Sequence, residues 1–367
     1  MKTTLKELIA ELENWAPKPH AEGFDNVGLL TGDANAEVKS VVVTLDVTPE
    51  VLEECVEKGA NVLITFHPLI FSKLSRISLD DRVGKMLHFA IKNDIAIYAI
   101  HTNLDAQLDG VNAAIAQRIG LEDCEILIPK QGQLVSLRYF TPVEDHEAVR
   151  QAMFDAGYGK IGLYANCSFN LQGTGTFLPM QGADPDTGEV GKQEKVEEMQ
   201  TEILLQTHQM EHAMRVLRKA HPYEEVAHHL QVLHNVNQHA GMGQIGVLPK
   251  PMGEEEFLQL LKKEFDLKVV RHSRFLGKEI RKVAVLGGSG AFALQDAIRA
   301  GADAYVTADC KYHDFFAVNN GLLLCDVGHF ESEQFTKKLI FERMSEKFAN
   351  FAIRISDIET NPVNYFL

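Results

Sequence analysis

Apolar and polar positions alternate in blocks along the N-terminal part of the chain. The run VKSVVVTLDV (38–47) predicts a buried strand, and PEVLEECVEKGA (49–60) predicts a helix that begins at a proline and ends at a glycine. Strand, helix, strand and helix patterns follow in turn at 61–66, 81–94, 95–100 and 109–120. Because strands that are apolar on both faces occur mainly in parallel sheets covered by helices, this pattern predicts an α/β domain with a largely parallel sheet.

The same alternation returns in the C-terminal part of the chain. Strands are predicted at 282–290 (with a terminal glycine turn), 302–307, 321–327 and 351–357, and helices at 291–301, 311–320 and 331–348. A gap-free alignment superimposes apolar, glycine and threonine positions of the two regions: Val41, Val43, Gly59, Ala60 and Thr65 on Val283, Val285, Gly301, Ala302 and Thr307. The shared strand–helix–strand register indicates an internal duplication, so the predicted fold is a duplicated α/β core.

The middle of the chain has a different pattern. A strand (134–142) and a helix (144–157) are predicted before a loop-rich stretch (173–193). After this stretch the pattern predicts a strand near 197–207, a helix at 209–220, the turn HPYEE and a strand at 226–233. Two strand–helix units with further strands between them predict a ferredoxin-like α+β domain. We therefore expect residues 131–236 to be an inserted domain that makes the core, 1–130 and 237–367, discontinuous in sequence.

Composition and charge narrow the functional classes. The hydrophobic content of 45% is that of a globular protein, and the formal net charge of −15 argues against nucleic-acid binding, which needs a basic face. The five cysteines show no CxxC pair, which predicts reduced thiols and a cytoplasmic location. The N-terminal segment reads as an amphipathic helix and no apolar run has the length of a membrane span, so we expect no membrane partner.

Histidines and carboxylates follow the predicted strands at the points where they end. They are His67, His101 with Asp105, Asp309 with His313, and His329 with Glu333. Open parallel sheets place ligand sites beyond the carboxyl ends of their strands, and a histidine and a carboxylate four residues apart share one helix face. Imidazole and carboxylate ligands suit zinc, iron or manganese, and several of them at one edge of the sheet permit a two-metal centre.

Simpler interpretations exist for each feature taken alone. A histidine at a strand end is often a hydrogen-bonded turn residue, and His329 with Glu333 could be a helix start with an acidic first turn. Three such positions at one sheet edge favour the metal site. GMGQIG (241–246) fits a dinucleotide fingerprint formally, but no helix follows it, and it is predicted to be a glycine-rich turn. LGGSGAF (286–292) is either an anion-binding turn or a plain tight turn.

Six sequence blocks resemble one known family. They are DNVGLL, ITFHPLIF, AIHTNLDA, GGSG, ADAYVTADCKYHD and DVGHFESE, in this order along both parts of the core. They resemble the NIF-three-like dinuclear metal proteins, which carry the label GTP cyclohydrolase I type 2. The insert resembles the PII- or CutA-like module of longer members, and its HPYEE turn is similar to a CutA feature.

The resemblance implies two metal ions held by two adjacent histidines, an aspartate and a histidine–glutamate pair. By position, the second adjacent histidine is His67, the aspartate is Asp105, and the pair is His329 and Glu333. The first of the adjacent histidines is replaced by Phe66, whose ring cannot bind a metal. One metal would then lose a ligand, bind weakly, or recruit water or His101. The resemblance also implies a toroidal homohexamer.

The leading functional hypothesis is a metal-dependent hydrolase of a nucleotide or related small molecule, with zinc as the first candidate metal and GTP cyclohydrolase-type ring opening as one possible reaction. His101 or His313 would move protons, and the GGSG turn could hold phosphate. The alternative is a metal-binding regulatory or scaffold protein without turnover, whose insert senses a ligand or a partner; Phe66 in a ligand position favours it slightly.

Overall fold

The computed structural model describes residues 2–366, and its internal contacts divide the chain into two units. Met1–Pro129 and Gln238–Leu367 together form the first, which we call the core unit. Lys130–Asn237 form the second, the insert unit. Two stretches that are distant in sequence therefore fold as one body.

Two sheets form the framework of the core unit. The first has five strands in the order β1-β4-β3-β2-β15: β1 (Gly28–Thr31), β2 (Ser40–Thr44), β3 (Val62–Thr65), β4 (Ala96–Ala99) and β15 (Ala352–Ile355). The second has six strands in the order β11-β14-β13-β12-β10-β5: β5 (Glu122–Lys130), β10 (Asn237–Gly253), β11 (Arg271–His272), β12 (Glu279–Val285), β13 (Ala304–Thr307) and β14 (Leu323–Asp326). The central strands are parallel, while β1, β10 and β11 pair antiparallel with their neighbours. The predicted α/β class with largely parallel sheets is confirmed.

Helices connect and cover these strands. Those of the core unit are α1 (Leu5–Trp15), α2 (Pro49–Glu57), α3 (Arg82–Lys92), α4 (Thr102–Asp105), α5 (Val111–Ile119), α8 (Glu254–Glu264), α9 (Leu294–Arg299), α10 (Asp314–Ala317), α11 (His329–Glu333) and α12 (Thr336–Lys347). The N-terminal helix α1 is closed by a capping box in which Thr4 and Glu7 satisfy each other's backbone amides. Its apolar stripe, including Leu8 and Leu12, is fully buried.

The strands are buried on both faces because each sheet lies between two apolar layers. Val41 and Val43 of β2 pack in the same hydrophobic cluster as Val283 and Val285 of β12, so the two sheets share one core. The alternate residue, Val42, belongs to a separate cluster with α2 and α3. This double burial explains the continuous apolar runs in the sequence.

The internal duplication is visible in strand register. In the first sheet Val41 lies opposite Val62, and in the second Val283 lies opposite Ala304, the residue that the alignment pairs with Val62. Both strand pairs are parallel and joined by a helix. The two halves of the core unit therefore repeat one βαβ unit, as the sequence predicted.

The insert unit is a four-stranded antiparallel sheet with two helices. Its elements are β6 (Leu134–Pro142), α6 (His146–Asp155), β7 (Phe169–Phe177), β8 (Glu194–Gln206), α7 (Met210–Ala220) and β9 (His228–Val232). The strand order β7-β8-β6-β9 is that of the ferredoxin-like fold. Strand β7 falls partly in the stretch predicted to be loop, because most of its side chains are exposed and leave no apolar alternation. The closer likeness of this unit to PII or CutA proteins stays a prediction.

One local prediction was wrong. GMGQIG (241–246) is not a turn but part of the long strand β10. Its glycines permit close approach of β5: a Cβ on Gly241 would lie 2.2 Å from the carbonyl oxygen of Ile128, and one on Gly246 would lie 2.6 Å from Sγ of Cys124. Glycine is required there by packing between strands and not by chain reversal.

Two further features bear on the sequence predictions. All five cysteines carry free thiols, so the fold is held without disulfides. Within residues 2–366, no helix combines the length and the apolar character that crossing a bilayer requires.

Candidate metal centre

Three side chains of the core unit converge on one point. Nε2 of His67 lies 3.4 Å from Nε2 of His329, and Oε2 of Glu333 lies 3.1 Å from each of these nitrogens. Their ligand atoms form the one such histidine–carboxylate cluster found within residues 2–366. These are three of the four residues that the sequence analysis proposed as metal ligands.

Different sheets supply the three side chains. His67 follows β3 of the first sheet, whereas His329 and Glu333 lie on α11, which follows β14 of the second. The prediction of a single sheet edge was therefore wrong. Since the two sheets share a core, the carboxyl ends of their parallel strands can face one cavity, and α11 places its histidine and glutamate four residues apart on one face.

Each of the two histidines is oriented by a further carboxylate. Nδ1 of His67 donates to Oδ1 of Asp46 at 2.9 Å, and Nδ1 of His329 donates to Oδ2 of Asp309 at 2.7 Å. A hydrogen bond at Nδ1 fixes the tautomer and leaves the Nε2 lone pair directed at the centre, which is the usual outer shell of a metal-binding histidine. When the gap-free alignment of the two regions is extended, Asp309 falls on His67, and the structure shows that Asp309 orients His329.

The charged side chains of the cluster shift one another's pKa values more than burial does. Burial by itself lowers the pKa of His67 and His329, but the carboxylates beside them outweigh it and raise the pKa of His67 to about 10 and that of His329 to about 9. Burial would raise the pKa of Glu333, yet the two imidazoles hold it at about 2. Without a metal, the cluster is a carboxylate held between two imidazolium groups.

Asp105 lies beside this cluster as a buried carboxylate. Burial, followed by the negative charge of Glu333, raises its pKa well above the ordinary value. Its Oδ1 accepts no hydrogen bond from the described residues. Unsatisfied buried oxygens are costly, so Asp105 requires either a proton or a cation.

His101 repeats the same outer arrangement next to the cluster. Its Nδ1 donates to Oδ1 of Asp25 at 3.0 Å, and the backbone amide and hydroxyl of Thr102 donate to the other oxygen of Asp25. Burial would raise the pKa of Asp25, but His101 and Thr102 lower it to about 2. The His101 ring lies 5.2 Å from that of His67, so it borders the centre without joining the three-atom cluster.

Phe66 packs against two of these rings. It is fully buried, and its ring centroid lies 5.0 Å from that of His67 and 5.2 Å from that of His101. A phenyl ring offers no ligand atom, so this side of the site is apolar packing that holds both imidazoles in place.

His313 is the predicted site residue that the structure does not bring to the centre. It is exposed at the start of α10, where its ring packs against Tyr312 and Phe316, and it does not line the cavity above the cluster. The role of proton carrier predicted for it is therefore unsupported, because its ring packs on Tyr312 and Phe316 outside the cavity.

The GGSG turn makes room for a ligand residue instead of binding phosphate. The amides of Gly287, Gly288 and Gly290 already donate to Asn112, to Ser332 and to Thr307. A Cβ on Gly288, whose φ is +61°, would lie 2.2 Å from Oε1 of Glu333. These three bonds favour the plain tight turn, and Gly288 is needed because the Glu333 carboxylate fills the place of a side chain.

The donor set fits a divalent metal ion. Tetrahedral zinc bound at about 2.0–2.1 Å would place its ligand atoms about 3.3 Å apart, close to the 3.1 and 3.4 Å observed. Two imidazole nitrogens and a carboxylate oxygen suit zinc, iron or manganese, with positions left open for substrate or water. The cluster lies in a cavity of about 750 Å³, which is large enough for a small molecule.

Sequence reasoning missed one residue of the site, Asp46, and left Asp25 as a loop residue that could line the same crevice. Asp46 was assigned to the end of a strand, but β2 ends at Thr44, so the aspartate stands just beyond the carboxyl end of its strand like the other site residues. This position is a signal that the strand boundary concealed. Asp25 lies in a loop, and nothing in its spacing connects it to His101.

We expect Asp46→Asn to weaken metal binding by about 10- to 100-fold, because the substitution removes the charge that orients His67. Chelator competition measures this affinity. Asp123→Asn, an exposed aspartate outside the cavity, is the matched control. Equal metal affinities of the unaltered protein and both variants would contradict the role of Asp46 in orienting His67.

Metal affinity should depend on pH up to an unusually high value. Metal must displace protons from His67 and His329, and their raised pKa values of about 10 and about 9 keep both imidazoles protonated at neutral pH. The apparent affinity should therefore keep rising with pH until about 9 to 10. Chelator competition from pH 6 to 10 tests this, and a plateau by pH 7, expected of ordinary imidazoles, would disprove it.

Gly288→Ala should abolish metal binding, because the added methyl group would displace the Glu333 carboxylate. The backbone strain of a left-handed alanine would add a stability loss of about 1 kcal/mol. Gly301→Ala is the matched control, since Gly301 has a φ of +74° and open space around its Cβ position. Elemental analysis should find metal in Gly301→Ala alone; metal retained in Gly288→Ala would refute the packing argument.

Comparison with known proteins identifies the family and supports the fold. The family described as Duf34/NIF3 (NGG1p interacting factor 3) matches residues 3–362. The chain is 38% identical over the full length of both sequences to a protein of Halalkalibacterium halodurans named GTP cyclohydrolase 1 type 2 homolog. It is 37% identical to the Bacillus subtilis protein of the same name, with 98% of each chain covered.

Solved structures show the same architecture. A Bacillus cereus protein related to NIF3 superimposes with a TM-score of 0.87 and 38% identity over the whole of both chains. A Staphylococcus aureus protein superimposes with a TM-score of 0.78 and 27% identity, covering 100% of this chain and 99% of the other. The resemblance identified in the sequence blocks is confirmed, and the chain belongs to the Duf34/NIF3 family.

Proposed function

We propose that this protein is a metal-dependent hydrolase of a small molecule. The observation that carries the proposal is the convergence of His67, His329 and Glu333 on one point inside a substrate-sized cavity. A structural metal site is usually closed by four protein ligands, whereas this cluster offers three. Such an open set is typical of sites at which a metal meets substrate.

The protein residues would hold the ion and prepare the site for it. His67 and His329, oriented by Asp46 and Asp309, would present their Nε2 lone pairs, and Glu333 would supply charge. A divalent ion bound there would supply Lewis acidity that polarises a substrate and acidifies water. Asp105 and His101 line the same cavity and offer donors for a second ion, which the family resemblance implies.

Two residues are placed to handle protons. Asp105 is a buried carboxyl whose pKa burial raises, so it is the candidate to carry a proton toward a leaving group when no second ion occupies it. His101 is held at Nδ1 by Asp25, which leaves Nε2 available to accept or donate a proton in the cavity. Proton transfer by such positioned groups commonly contributes about 10²- to 10⁴-fold to a rate.

The names of the relatives guide the choice of substrate. Both bacterial relatives are named as GTP cyclohydrolase 1 type 2 homologs, so a purine nucleotide with a hydrolysable ring is the first substrate to test. A homohexamer, which the resemblance implies, would have suitable surface: Leu74, Ile77 and Ile91 are large apolar side chains exposed around one depression of the core unit.

Glu333→Gln tests the proposal because it removes the charge with almost no change of shape. We expect loss of bound metal by elemental analysis, and at least a 10²-fold loss of turnover when metal-loaded proteins are incubated with GTP and other nucleotides. Glu346→Gln, an exposed glutamate on α12, should behave as the unaltered protein. Unchanged metal content in Glu333→Gln would remove the ligand assignment.

The same experiment separates the second candidate, a metal-binding regulatory or scaffold protein. Phe66 favours that candidate, because it contributes an apolar ring where a further ligand would complete a second metal site. Metal bound at this cluster without product from any nucleotide would support regulation in place of hydrolysis.

A further inference from the structure

A second cavity of about 740 Å³ lies beside the metal cavity in the core unit. One wall runs from β11 through Leu276, and the other is formed by Tyr312, Phe315, Phe316, Val318, Asn319 and Asn320. Arg271 lines both cavities and so forms a wall that they share. We call this second cavity the arginine groove. Nothing in the proposed hydrolysis uses it.

The charge of the arginine groove is opposite to that of the protein. Arg271, Arg274 and His272 line it, and no carboxylate does, although the chain carries a formal net charge of −15. Arg271 is fixed in place, since its guanidinium donates to Oδ2 of Asp326 at 2.9 Å and to the carbonyl of Cys310 at 3.0 Å. The guanidinium of exposed Arg274 has no hydrogen bond or ion pair to any residue of 2–366, so it is available to an anion.

Aromatic side chains stand exposed in the same groove. Tyr312 is 71% exposed and Phe316 is 66% exposed, and their ring centroids lie 5.2 Å apart in an edge-to-face pair. Exposed aromatic pairs of this kind offer a face on which a flat ring can stack, at about 1–3 kcal/mol per base in nucleic-acid-binding proteins. Asn319 and Asn320, both with positive φ, bring amide side chains to the same wall.

The metal cavity is less suited than the arginine groove to an anionic group. Carboxylates line it, six in all: Asp46, Asp105, Asp309, Asp326, Glu331 and Glu333. The glycine turn above it has committed three amides to protein acceptors. With no cation bound, the carboxylates of the metal cavity therefore disfavour an anion there, whereas the groove attracts one.

We propose that the arginine groove is a separate binding site for a small anionic ligand with a flat aromatic ring, of the chemical class of nucleoside monophosphates. The phosphate pairs with Arg274 at the mouth of the groove, and the ring stacks on Tyr312 and Phe316. This site does not depend on the proposed hydrolase activity.

The test uses the full-length protein and three probes: adenosine 5′-monophosphate, adenosine and ribose 5-phosphate. Binding is measured by equilibrium dialysis in the Glu333→Gln background, so that phosphate cannot be held by metal at the cluster. We expect the monophosphate to bind at least about tenfold more tightly than either half, since only it engages both the cation and the rings.

Single substitutions added to the Glu333→Gln protein show which residue contacts the phosphate and which contacts the ring. Arg274→Gln should weaken the monophosphate and ribose 5-phosphate about tenfold and leave adenosine unchanged, whereas Phe316→Leu should weaken the monophosphate and adenosine and leave ribose 5-phosphate unchanged. Both side chains are exposed, so neither change should unfold the protein. Arg281→Gln, an exposed arginine outside the groove, is the matched control.

Binding in the arginine groove and hydrolysis at the metal cluster can each succeed or fail without the other. Monophosphate binding that Arg274→Gln weakens and Arg281→Gln does not would establish the groove even if the protein proves to have no hydrolase activity. Absence of monophosphate binding, or equal loss in both arginine variants, would overturn the inference even if metal and turnover are found at the cluster.

Discussion

The candidate site depends on the buried carboxylate of Glu333 and the two imidazoles that face it. A carboxylate removed from water destabilises a fold unless opposite charge or a metal compensates for it. Here compensation comes from His67 and His329, each 3.1 Å away. The carboxylate can occupy this place only because Gly288 leaves the space for it. One backbone position without a side chain therefore permits the whole cluster.

The histidines around the centre share one arrangement, which makes the site rigid before any ligand arrives. His67, His101 and His329 each donate Nδ1 to a carboxylate, so each presents Nε2 to the cavity. The accompanying carboxylates also make the surroundings strongly negative, and a divalent cation is the partner that such surroundings favour. Phe66 adds packing on one side and no ligand, which distinguishes this site from a symmetric two-metal centre.

Local pattern predicted much of this correctly, and its errors have physical causes. Strand-end position identified His67, His329 and Glu333, because parallel strands direct their carboxyl ends toward one region. The same rule included His313, but that residue lies well past the end of β13, at the start of α10, and outside the cavity. Asp46 was hidden by a strand predicted a few residues too long, and the GMGQIG glycines were taken for a turn because a close approach between strands leaves no trace in a single sequence.

The sequence by itself determined the α/β class, the duplicated βαβ unit, the position of the inserted domain in the chain pattern and the residue types of the site. These follow from periodicity and from residue chemistry, both of which are local. Only the tertiary structure decided that two sheets share one core, that Glu333 lies between His67 and His329, and that Arg271 separates an acidic cavity from a basic groove. Those properties arise from distances between residues far apart in the chain, which packing of the shared core sets and no local pattern records.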